Sequence, residues 1–274
     1  MDRKATARET LNIMSQGYYV LPDQTRIDIR QELEESVRKS ILITPAEGER
    51  ILKHCEDHMP KTGGLTPEHR VTENLSAVDA IRRLAAQGRD RIGVLNFASA
   101  KNPGGGFLNG AMAQEESLAA SGTLYRTLTA HEEYYRENRA YRSVIYTDYG
   151  IYSPDVVFFR DGSFRLAEPV KASVLTLPAV NMGQVILKGE DICRAKAAMR
   201  RRMKLALAVF AEQGAKNLVL GAYGCGVFRN DPKDIAAWWR ELLEEGFGHY
   251  FDSVFYAVLD RTKGQDCIRA FRNP

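Results

Sequence analysis

The sequence lacks the features that mark membrane-spanning, disulfide-bonded and secreted proteins. Its 274 residues include four cysteines, which lie far apart and form no CxxC pair. No apolar run approaches the roughly 18 residues that a membrane-spanning helix needs. The opening residues MDRKATARET contain no apolar stretch of the kind found in a secretion signal. We therefore predict a reduced cytoplasmic protein that does not enter a membrane.

A strong excess of charge of one sign is also missing. The 38 basic residues face 35 acidic ones, which gives a formal net charge of +3. So small an excess does not indicate nucleic-acid binding, and we expect no direct binding to DNA. The hydrophobic content of 44% is that of an ordinary globular protein with a full core. No internal repeat or low-complexity segment is present.

Metal-ligand patterns are nearly absent. His54, Cys55 and His58 form an HCxxH grouping, but no further ligands follow at a recognisable spacing. We predict neither a metal site nor a cofactor.

The pattern of elements changes near residue 69. Before it come a polar helix over about Arg3 to Gln16, short extended pieces, a charged helix, and a loop over residues 58–69 that contains proline and glycine. After it, strands alternate with helices, which indicates a three-layer α/β/α domain with a mixed, largely parallel sheet. We predict an N-terminal accessory region of residues 1–68 and a main domain of residues 69–274.

Three further predictions concern elements of the main domain. One long helix is expected from near Gln114 toward Glu137, and a strand over Ser143 to Tyr146. A basic helix is expected over Asp191 to Gln213. Its cationic residues from Arg194 to Lys204 are most simply a solvated face, and a role in holding an anionic polymer is the alternative.

The segment from Asn96 to Glu116 reads NFASAKNPGGGFLNGAMAQEE. Three successive glycines are costly in backbone entropy, so they indicate unusual dihedral angles or close contact between a ligand and the main chain. The two glutamates alone are also typical of a solvated helix start. Beside the glycines, they indicate a pocket for a phosphate-bearing substrate whose bond is cleaved by acid/base chemistry. Consecutive helical residues point about 100° apart, so the two carboxylates cannot have the same role.

A second glycine-rich segment, GAYGCGVFRND, spans residues 221–231 between an apolar strand and a helix. Main-chain N–H groups in such a loop form a concave anion site without lysine or arginine. The alternative is a plain strand-to-helix turn. Phe228 either stacks on a sugar or base or packs into the core. Cys225 has no histidine partner in the sequence and is better interpreted as a small residue than as a nucleophile.

Together, the GGG loop followed by QEE, the preceding NFASAKNP and the later GAYGCGVFRNDP resemble the bacterial-type poly(ADP-ribose) glycohydrolases, which are macrodomain proteins. The resemblance covers most of the chain from about residue 69, and the preceding part resembles the accessory region of those enzymes. It implies hydrolysis of the ribose–ribose O-glycosidic bond of poly(ADP-ribose) or of ADP-ribosylated proteins, with ADP-ribose as product. It also implies no cofactor, and we expect a monomer.

The resemblance also implies a role for each matching residue. Glu116 is the catalytic acid/base, Glu115 binds ribose hydroxyls beside the scissile bond, and Gln114 orients the pair. The glycines Gly104, Gly105 and Gly106 form the catalytic loop, and Asn96 meets the hydroxyls of the distal ribose. The diphosphate is cradled by Gly224, Cys225, Gly226, Val227 and Phe228.

This chemistry agrees with the residues themselves. Cleavage passes through an oxocarbenium-like state, so one carboxyl group must protonate the leaving hydroxyl and then, as a carboxylate, activate water. Such an acid has to hold a proton near neutral pH, which burial or a neighbouring negative charge brings about by raising its pKa. Three alternatives stay open: a macrodomain that binds ADP-ribose without cleaving it, a mono-ADP-ribosyl hydrolase, and a metal-dependent nucleotide hydrolase.

Overall fold

The computed structural model describes residues 2–62 and 64–272. The strands are β1 (Tyr18–Val20), β2 (Arg26–Asp28), β3 (Ile41–Ile43), β4 (Arg70–Glu73), β5 (Ile92–Ala98), β6 (Gly150–Arg160), β7 (Leu166–Pro178), β8 (Asn217–Leu220) and β9 (Ser253–Ala257). The α-helices are α1 (Arg3–Gln16), α2 (Arg30–Lys39), α3 (Pro45–Asp57), α4 (Ala77–Ala86), α5 (Gln114–Ser121), α6 (Leu124–Thr129), α7 (Glu132–Ala140), α8 (Met182–Lys188), α9 (Ile192–Glu212), α10 (Pro232–Glu244) and α11 (Asp266–Arg272). Among these residues, no helix is long and apolar enough to cross a membrane.

Seven strands form the central sheet in the order β3-β6-β7-β5-β8-β9-β4. The neighbours from β7 to β4 are parallel, whereas β6 pairs antiparallel with both β7 and β3. Strands β1 and β2 form a separate hairpin. The mixed, largely parallel sheet that the sequence predicts is therefore confirmed.

Both faces of the sheet are covered, because side chains of successive strand residues point to opposite faces. In β5, Leu95 packs into a core with α3, α9 and α10, whereas Val94 packs into a second core with α4 and α5. In β9, Tyr256 packs into the first core and Phe255 packs into the second. The predicted three-layer α/β/α arrangement is confirmed.

The region before residue 69 contributes to the main sheet. Strand β3 pairs with β6 through Leu42 and Ile151, and Ile43 of the same strand is fully buried in the core. The loop of residues 58–69 contains Gly63, which lies outside the described residues. A domain boundary at residue 68 stays a prediction.

The single long helix predicted from Gln114 toward Glu137 is wrong. Three helices, α5, α6 and α7, occupy this stretch. The chain leaves helical geometry at Gly122, which bridges to Phe158 of β6. A Cβ atom on Gly122 would collide with the carbonyl oxygen of Val157, so the glycine allows strand and helix to come this close.

The predicted strand over Ser143 to Tyr146 is also wrong. Its main-chain groups pair with side chains and with another loop instead of a strand: Val144 N–H donates to Glu190, and the carbonyl oxygens of Ile145 and Tyr146 accept from Arg202. These hydrogen bonds satisfy the main-chain N–H and C=O groups of an irregular segment, as pairing with a neighbouring strand would.

The basic helix forms as α9, but its interpretation as a solvated face is wrong at Arg202. That side chain is fully buried, and it donates to Asp148 at 3.0 Å and to the carbonyl oxygen of Pro178 at 2.8 Å. Other cations of the helix form ion pairs with the protein's own carboxylates: Lys196 with Asp234, Arg200 with Glu241 and Glu245, Arg201 with Glu49 and Asp148, and Lys204 with Glu56. These pairs leave little free positive charge on the helix for an anionic polymer.

Candidate active site

The two glycine-rich segments follow neighbouring parallel strands. The first begins at the carboxyl end of β5, and the second begins at the carboxyl end of β8. Strand β7, on the other side of β5, ends beside them at Pro178. Loops at the carboxyl ends of parallel strands meet at one edge of a sheet, which is where ligands bind in open α/β folds.

Gln114 fastens the first turn of α5 to the end of β5. Its Oε1 accepts from Phe97 N–H at 2.9 Å and its Nε2 donates to the Leu95 carbonyl oxygen at 2.8 Å. Both polar groups of the amide are used, so the side chain fixes the orientation of the helix that presents the two glutamates.

Glu115 is the inward-facing member of the pair, with 3% of its surface exposed. Its Oε2 accepts from Ser99 N–H at 2.7 Å, and its Oε1 accepts from Asn96 Nδ2 at 3.3 Å. Burial raises the pKa of Glu115 to about 8; the hydrogen bonds from Ser99 and Asn96 oppose this rise, and the nearby charge of Glu116 adds to it. Burial therefore favours the protonated form of Glu115.

Glu116 is only partly buried and lies over the glycine loop. Its Oε1 accepts from Gly106 N–H at 2.8 Å, and its Oε2 accepts from Ala113 N–H at 3.0 Å, which also caps α5. The different surroundings of Glu115 and Glu116 agree with the expectation that they have different roles.

The triple glycine makes room for both carboxylates. Gly104 and Gly105 have φ angles of +65° and +60°, which other residues rarely adopt. A Cβ atom on Gly105 would collide with Oε1 of Glu116 and lie 3.1 Å from Oε2 of Glu115. Gly105 is thus the point on which the two carboxyl groups converge.

Asn96 lies behind Glu115 and is fully buried. Its Nδ2 donates to Glu115 and, at 3.1 Å, to Thr176 Oγ1 of β7, while its Oδ1 has no partner among the described residues. These contacts hold the carboxyl group of Glu115 in place. The predicted contact of Asn96 with a ribose stays a prediction.

The second loop presents main-chain donors. Within the described residues, the N–H groups of Gly224, Gly226, Val227 and Phe228 have no hydrogen-bond acceptor, whereas the N–H of Cys225 donates to the carbonyl oxygen of Ala222. Gly226 and Val227 are exposed, the latter to 84%. Clustered free N–H groups of this kind are typical of anion sites. Binding of a diphosphate to this loop stays a prediction.

The buried Asn230 fixes the shape of this loop. Its Nδ2 donates to the carbonyl oxygens of Val180, just after β7, and of Gly224, at 2.8 and 3.1 Å. Gly224 has a φ of +75°, and a Cβ atom there would lie 2.6 Å from Asn230 Nδ2 and 2.8 Å from Ala179 Cβ. The loop after β8 is therefore tied to the end of β7.

Phe228 and Cys225 lie at the border between loop and core. Phe228 is partly buried, packs against the core and has its ring centroid 6.2 Å from that of Tyr146. The Cys225 thiol donates to the Tyr223 carbonyl oxygen at 3.9 Å. The neighbouring thiol of Cys267, together with burial, raises the pKa of Cys225. A raised pKa disfavours the thiolate, in agreement with the interpretation of Cys225 as a small residue.

Sequence reasoning did not identify Ser99, Thr176 or Asn230 as parts of the site. Ser99 contacts Glu115 through its main-chain N–H, which leaves no trace in residue type. Its Oγ accepts from the N–H groups of Lys101 and Asn102, which is ordinary turn chemistry. Thr176 is detectable as a polar residue within the apolar run VLTLP. Asn230 lies next to the helix-capping Asp231 and resembles ordinary turn chemistry.

The HCxxH grouping has ordinary contacts. His54 Nδ1 lies 2.8 Å from Glu212 Oε2, and His58 Nδ1 hydrogen-bonds to the His54 carbonyl oxygen. Cys55 Sγ donates to the Ala208 carbonyl oxygen at 3.4 Å. The possible ligand atoms of His54, Cys55 and Glu212 lie within 4.8 Å of one another. Burial raises the pKa of Cys55 to about 11, which disfavours the thiolate that a metal would need.

This chain is similar to solved structures of proteins from two bacteria. The poly(ADP-ribose) glycohydrolase (PARG) of Thermomonospora curvata is 36% identical, with 98% of each chain covered and a TM-score of 0.92. The structure of the same T. curvata protein bound to the inhibitor ADP-HPD matches this chain with a TM-score of 0.90, at 36% identity and with 98% of each chain covered. PARG of Deinococcus radiodurans in complex with ADP-ribose is 39% identical, covering 88% of this chain and 95% of that chain, with a TM-score of 0.82.

A comparison with curated proteins found no significant match. Residues 7–161 match the family described as microbial-type PARG, catalytic domain. This match spans more than half of the chain, and the similarity to the two bacterial structures extends over most of the rest. The chain therefore belongs to the microbial-type poly(ADP-ribose) glycohydrolase family, as the order and content of its two glycine-rich segments predict.

Proposed function

We propose that this protein hydrolyses the ribose–ribose O-glycosidic bond of poly(ADP-ribose) and releases ADP-ribose. One observation supports this above all others. A partly exposed carboxylate, Glu116, lies over a glycine loop, and the neighbouring loop presents four main-chain N–H groups without an acceptor among the described residues. An acid/base group beside an anion site is what cleavage next to a diphosphate requires.

Glu116 is the acid/base in this proposal because it is the more exposed member of the pair. As the acid, it gives its proton to the ribose oxygen that leaves, while positive charge develops on the anomeric carbon. As the carboxylate, it then takes a proton from the water that attacks that carbon. Gly105 leaves this side of the carboxyl group free of any side chain.

Glu115 binds ribose hydroxyls in its neutral form. Because burial raises its pKa to about 8, it adds no second negative charge beside Glu116 and the substrate diphosphate. A protonated carboxyl group also has one O–H to donate as well as lone pairs that accept. Asn96, Ser99 and Gln114 then act through Glu115, by fixing its carboxyl group and the first turn of α5.

The diphosphate binds to the loop from Gly224 to Phe228. The free N–H groups of this loop supply the hydrogen bonds, and the tie between Asn230 and Val180 preorganises them. Phe228, at the edge of this loop, packs against the sugar next to the diphosphate.

Several wider expectations belong to the same proposal. The substrate is poly(ADP-ribose) or an ADP-ribosylated protein, and the product is ADP-ribose. We expect the protein to act as a monomer in the cytoplasm, without a cofactor and without binding DNA. The accessory region of residues 1–68 and the catalytic domain of residues 69–274 are then parts of one enzyme.

The decisive variant is Glu116→Gln, measured by ADP-ribose release from labelled poly(ADP-ribose). We expect a loss of at least about 100-fold, the usual contribution of a general acid/base, with binding of ADP-ribose retained. Glu132→Gln is the matched control, because Glu132 is an exposed glutamate in the first turn of α7. Undiminished turnover by the Glu116 variant would remove that residue from the chemistry.

The unaltered protein tests the function itself. If it binds ADP-ribose but leaves the polymer intact, the protein is a binding module. If it removes single ADP-ribosyl groups from proteins and not polymer, the mono-ADP-ribosyl alternative is correct. Resolving the products by length separates these cases and distinguishes cleavage at the polymer end from internal cleavage.

A further inference from the structure

Helix α1 brings Arg3 to a pocket that Glu116 also lines. Arg3, Ala7 and Thr10 lie on one face of this helix, at the spacing of successive helical turns. Ala7 and Thr10 are buried against the rest of the protein. Arg3 continues the same face toward the glycine loop.

Buried contacts hold α1 in a fixed position along α5. The Thr10 hydroxyl donates to the carbonyl oxygen of Ala120 at 2.7 Å. The buried Arg160 donates to Thr10 Oγ1 at 3.3 Å, to Glu9 at 2.7 Å and to the carbonyl oxygen of Phe164 at 2.9 Å. The start of α1 is therefore not free to move away from the site.

Arg3 shares a pocket with Glu116. Thr6, Gly110, Met112 and Phe164 complete most of its lining. Gly110 has a φ of +78°, and a Cβ atom on it would lie 3.3 Å from Arg3 Cβ and 3.3 Å from Lys4 Cγ. The pocket includes no residue of the Gly224 to Phe228 loop, so it is separate from the proposed diphosphate site.

The positive charge here is not neutralised by ion pairs. Among the described residues, no carboxylate lies within ion-pair distance of Arg3, Lys4 or Arg8. Asp2 is close in sequence, but its carboxylate accepts from the N–H groups of Lys4 and Ala5 as a helix cap. An exposed arginine beside the acid/base residue is thus available for an anion.

We propose that Arg3 binds the polymer on the leaving side of the scissile bond, through the diphosphate of the ADP-ribose unit that departs. This inference rests on the function proposed above. The terminal ADP-ribose unit occupies the cleft between Glu116 and the Gly224 to Phe228 loop. The next unit begins beyond the glycosidic oxygen that Glu116 protonates in this proposal, and Arg3 lines a pocket with Glu116. A guanidinium binds phosphate oxygens in a bidentate manner.

Two substrates separate this role from a general effect on the site. One is poly(ADP-ribose); the other is ADP-ribose with a fluorogenic phenol on the anomeric oxygen, which lacks the departing diphosphate. We expect Arg3→Gln to lower kcat/KM on the polymer about tenfold, the loss of one charge-assisted hydrogen bond, and to leave the aryl substrate unaffected. The defect should shrink as salt is raised from about 0.02 to about 0.3 M, because ions screen an exposed charge.

Arg89→Gln is the matched control, because it removes an exposed arginine that precedes β5, at the opposite end of that strand from the glycine loop. Arg3→Lys should be more active on the polymer than Arg3→Gln, since lysine keeps the positive charge but lacks the paired N–H donors of a guanidinium. Equal kcat/KM for Arg3→Gln and unaltered protein on both substrates would overturn the inference. An equal loss of kcat/KM on the polymer and on the aryl substrate would also overturn it, because it would mean that Arg3 stabilises the glycine loop and does not bind the departing unit. If the unaltered protein cleaves neither substrate, the proposed function fails instead.

Discussion

Gly105 and Glu116 are packed so closely that any side chain on the glycine would collide with the Oε1 atom of the carboxylate. The main-chain N–H of the next residue, Gly106, donates to the same oxygen. The glycine loop and the Glu116 carboxylate are therefore one unit: the backbone both approaches the carboxylate and fixes its position.

The first prediction concerns this contact. Gly105→Ala should lower kcat on poly(ADP-ribose) at least about 100-fold, because the methyl group displaces the general acid/base. Gly88→Ala is the control: Gly88 has a φ of +71°, but a Cβ atom there would meet nothing within 4 Å. Both variants should lose about 1 to 2 kcal/mol of stability from the left-handed backbone, measured by urea unfolding. Full activity in Gly105→Ala would contradict the collision.

A second prediction follows from the raised pKa of Glu115. The folded protein keeps the Glu115 proton up to about pH 8, whereas the unfolded chain loses it near the ordinary value of 4.5. The folded state therefore binds an extra proton between these pH values, and its stability falls as pH rises through this window. Glu115→Gln removes this term, because glutamine does not titrate.

Unfolding free energies of Glu115→Gln and unaltered protein should thus diverge with pH. We expect the variant to gain up to a few kcal/mol relative to the unaltered protein between pH 4.5 and pH 8, at about 1.4 kcal/mol for each unit of pKa. Glu132→Gln, at an exposed position, should show no such trend. Parallel pH profiles for the Glu115 variant and the unaltered protein would mean that Glu115 is ionised at neutral pH.

The third prediction concerns the buried Arg202. Arg202→Met should destabilise the protein by about 3 to 5 kcal/mol, because Asp148 and the carbonyl oxygens of Ile145 and Pro178 lose their donor. Arg200→Met removes only partly exposed ion pairs on the same helix and should cost less than about 1 kcal/mol. Urea unfolding measures the free energy of unfolding of both variants. Equal losses would show that the buried contacts of Arg202 contribute no more to stability than the ion pairs of Arg200.

A fourth prediction addresses the metal-dependent alternative. Dialysis against a chelator should leave the rate of ADP-ribose release unchanged. Glu115 and Glu116 accept main-chain N–H bonds, and within the described residues they belong to no group of possible metal ligands. His54→Ala, which disrupts the grouping with Glu212, should likewise keep full activity. A rate that falls with chelator and returns with a divalent cation would favour the alternative.

The sequence predicts the architecture well because alternating apolar strands and capped helices are local patterns. It predicts that both glycine-rich segments lie at the site because packing alone rarely requires several glycines so close together, in the first segment beside an acidic pair. It fails where side chains replace regular main-chain pairing: Arg202 and Glu190 satisfy the segment after Ser143, and nothing in that segment itself reveals them. It also misses Ser99, whose contact with Glu115 is made by its main-chain N–H group.

The pairing of β5 with both β7 and β8 has a consequence for how the chain folds. The catalytic loop and the Gly224 to Phe228 loop are distant in sequence, and they meet only when β8 has added to the edge of β5. Closing such long loops is slow compared with forming local helices. Recovery of hydrolysis during refolding should therefore follow completion of the whole sheet, and a growing chain still on the ribosome should acquire its helices well before it can hold a substrate.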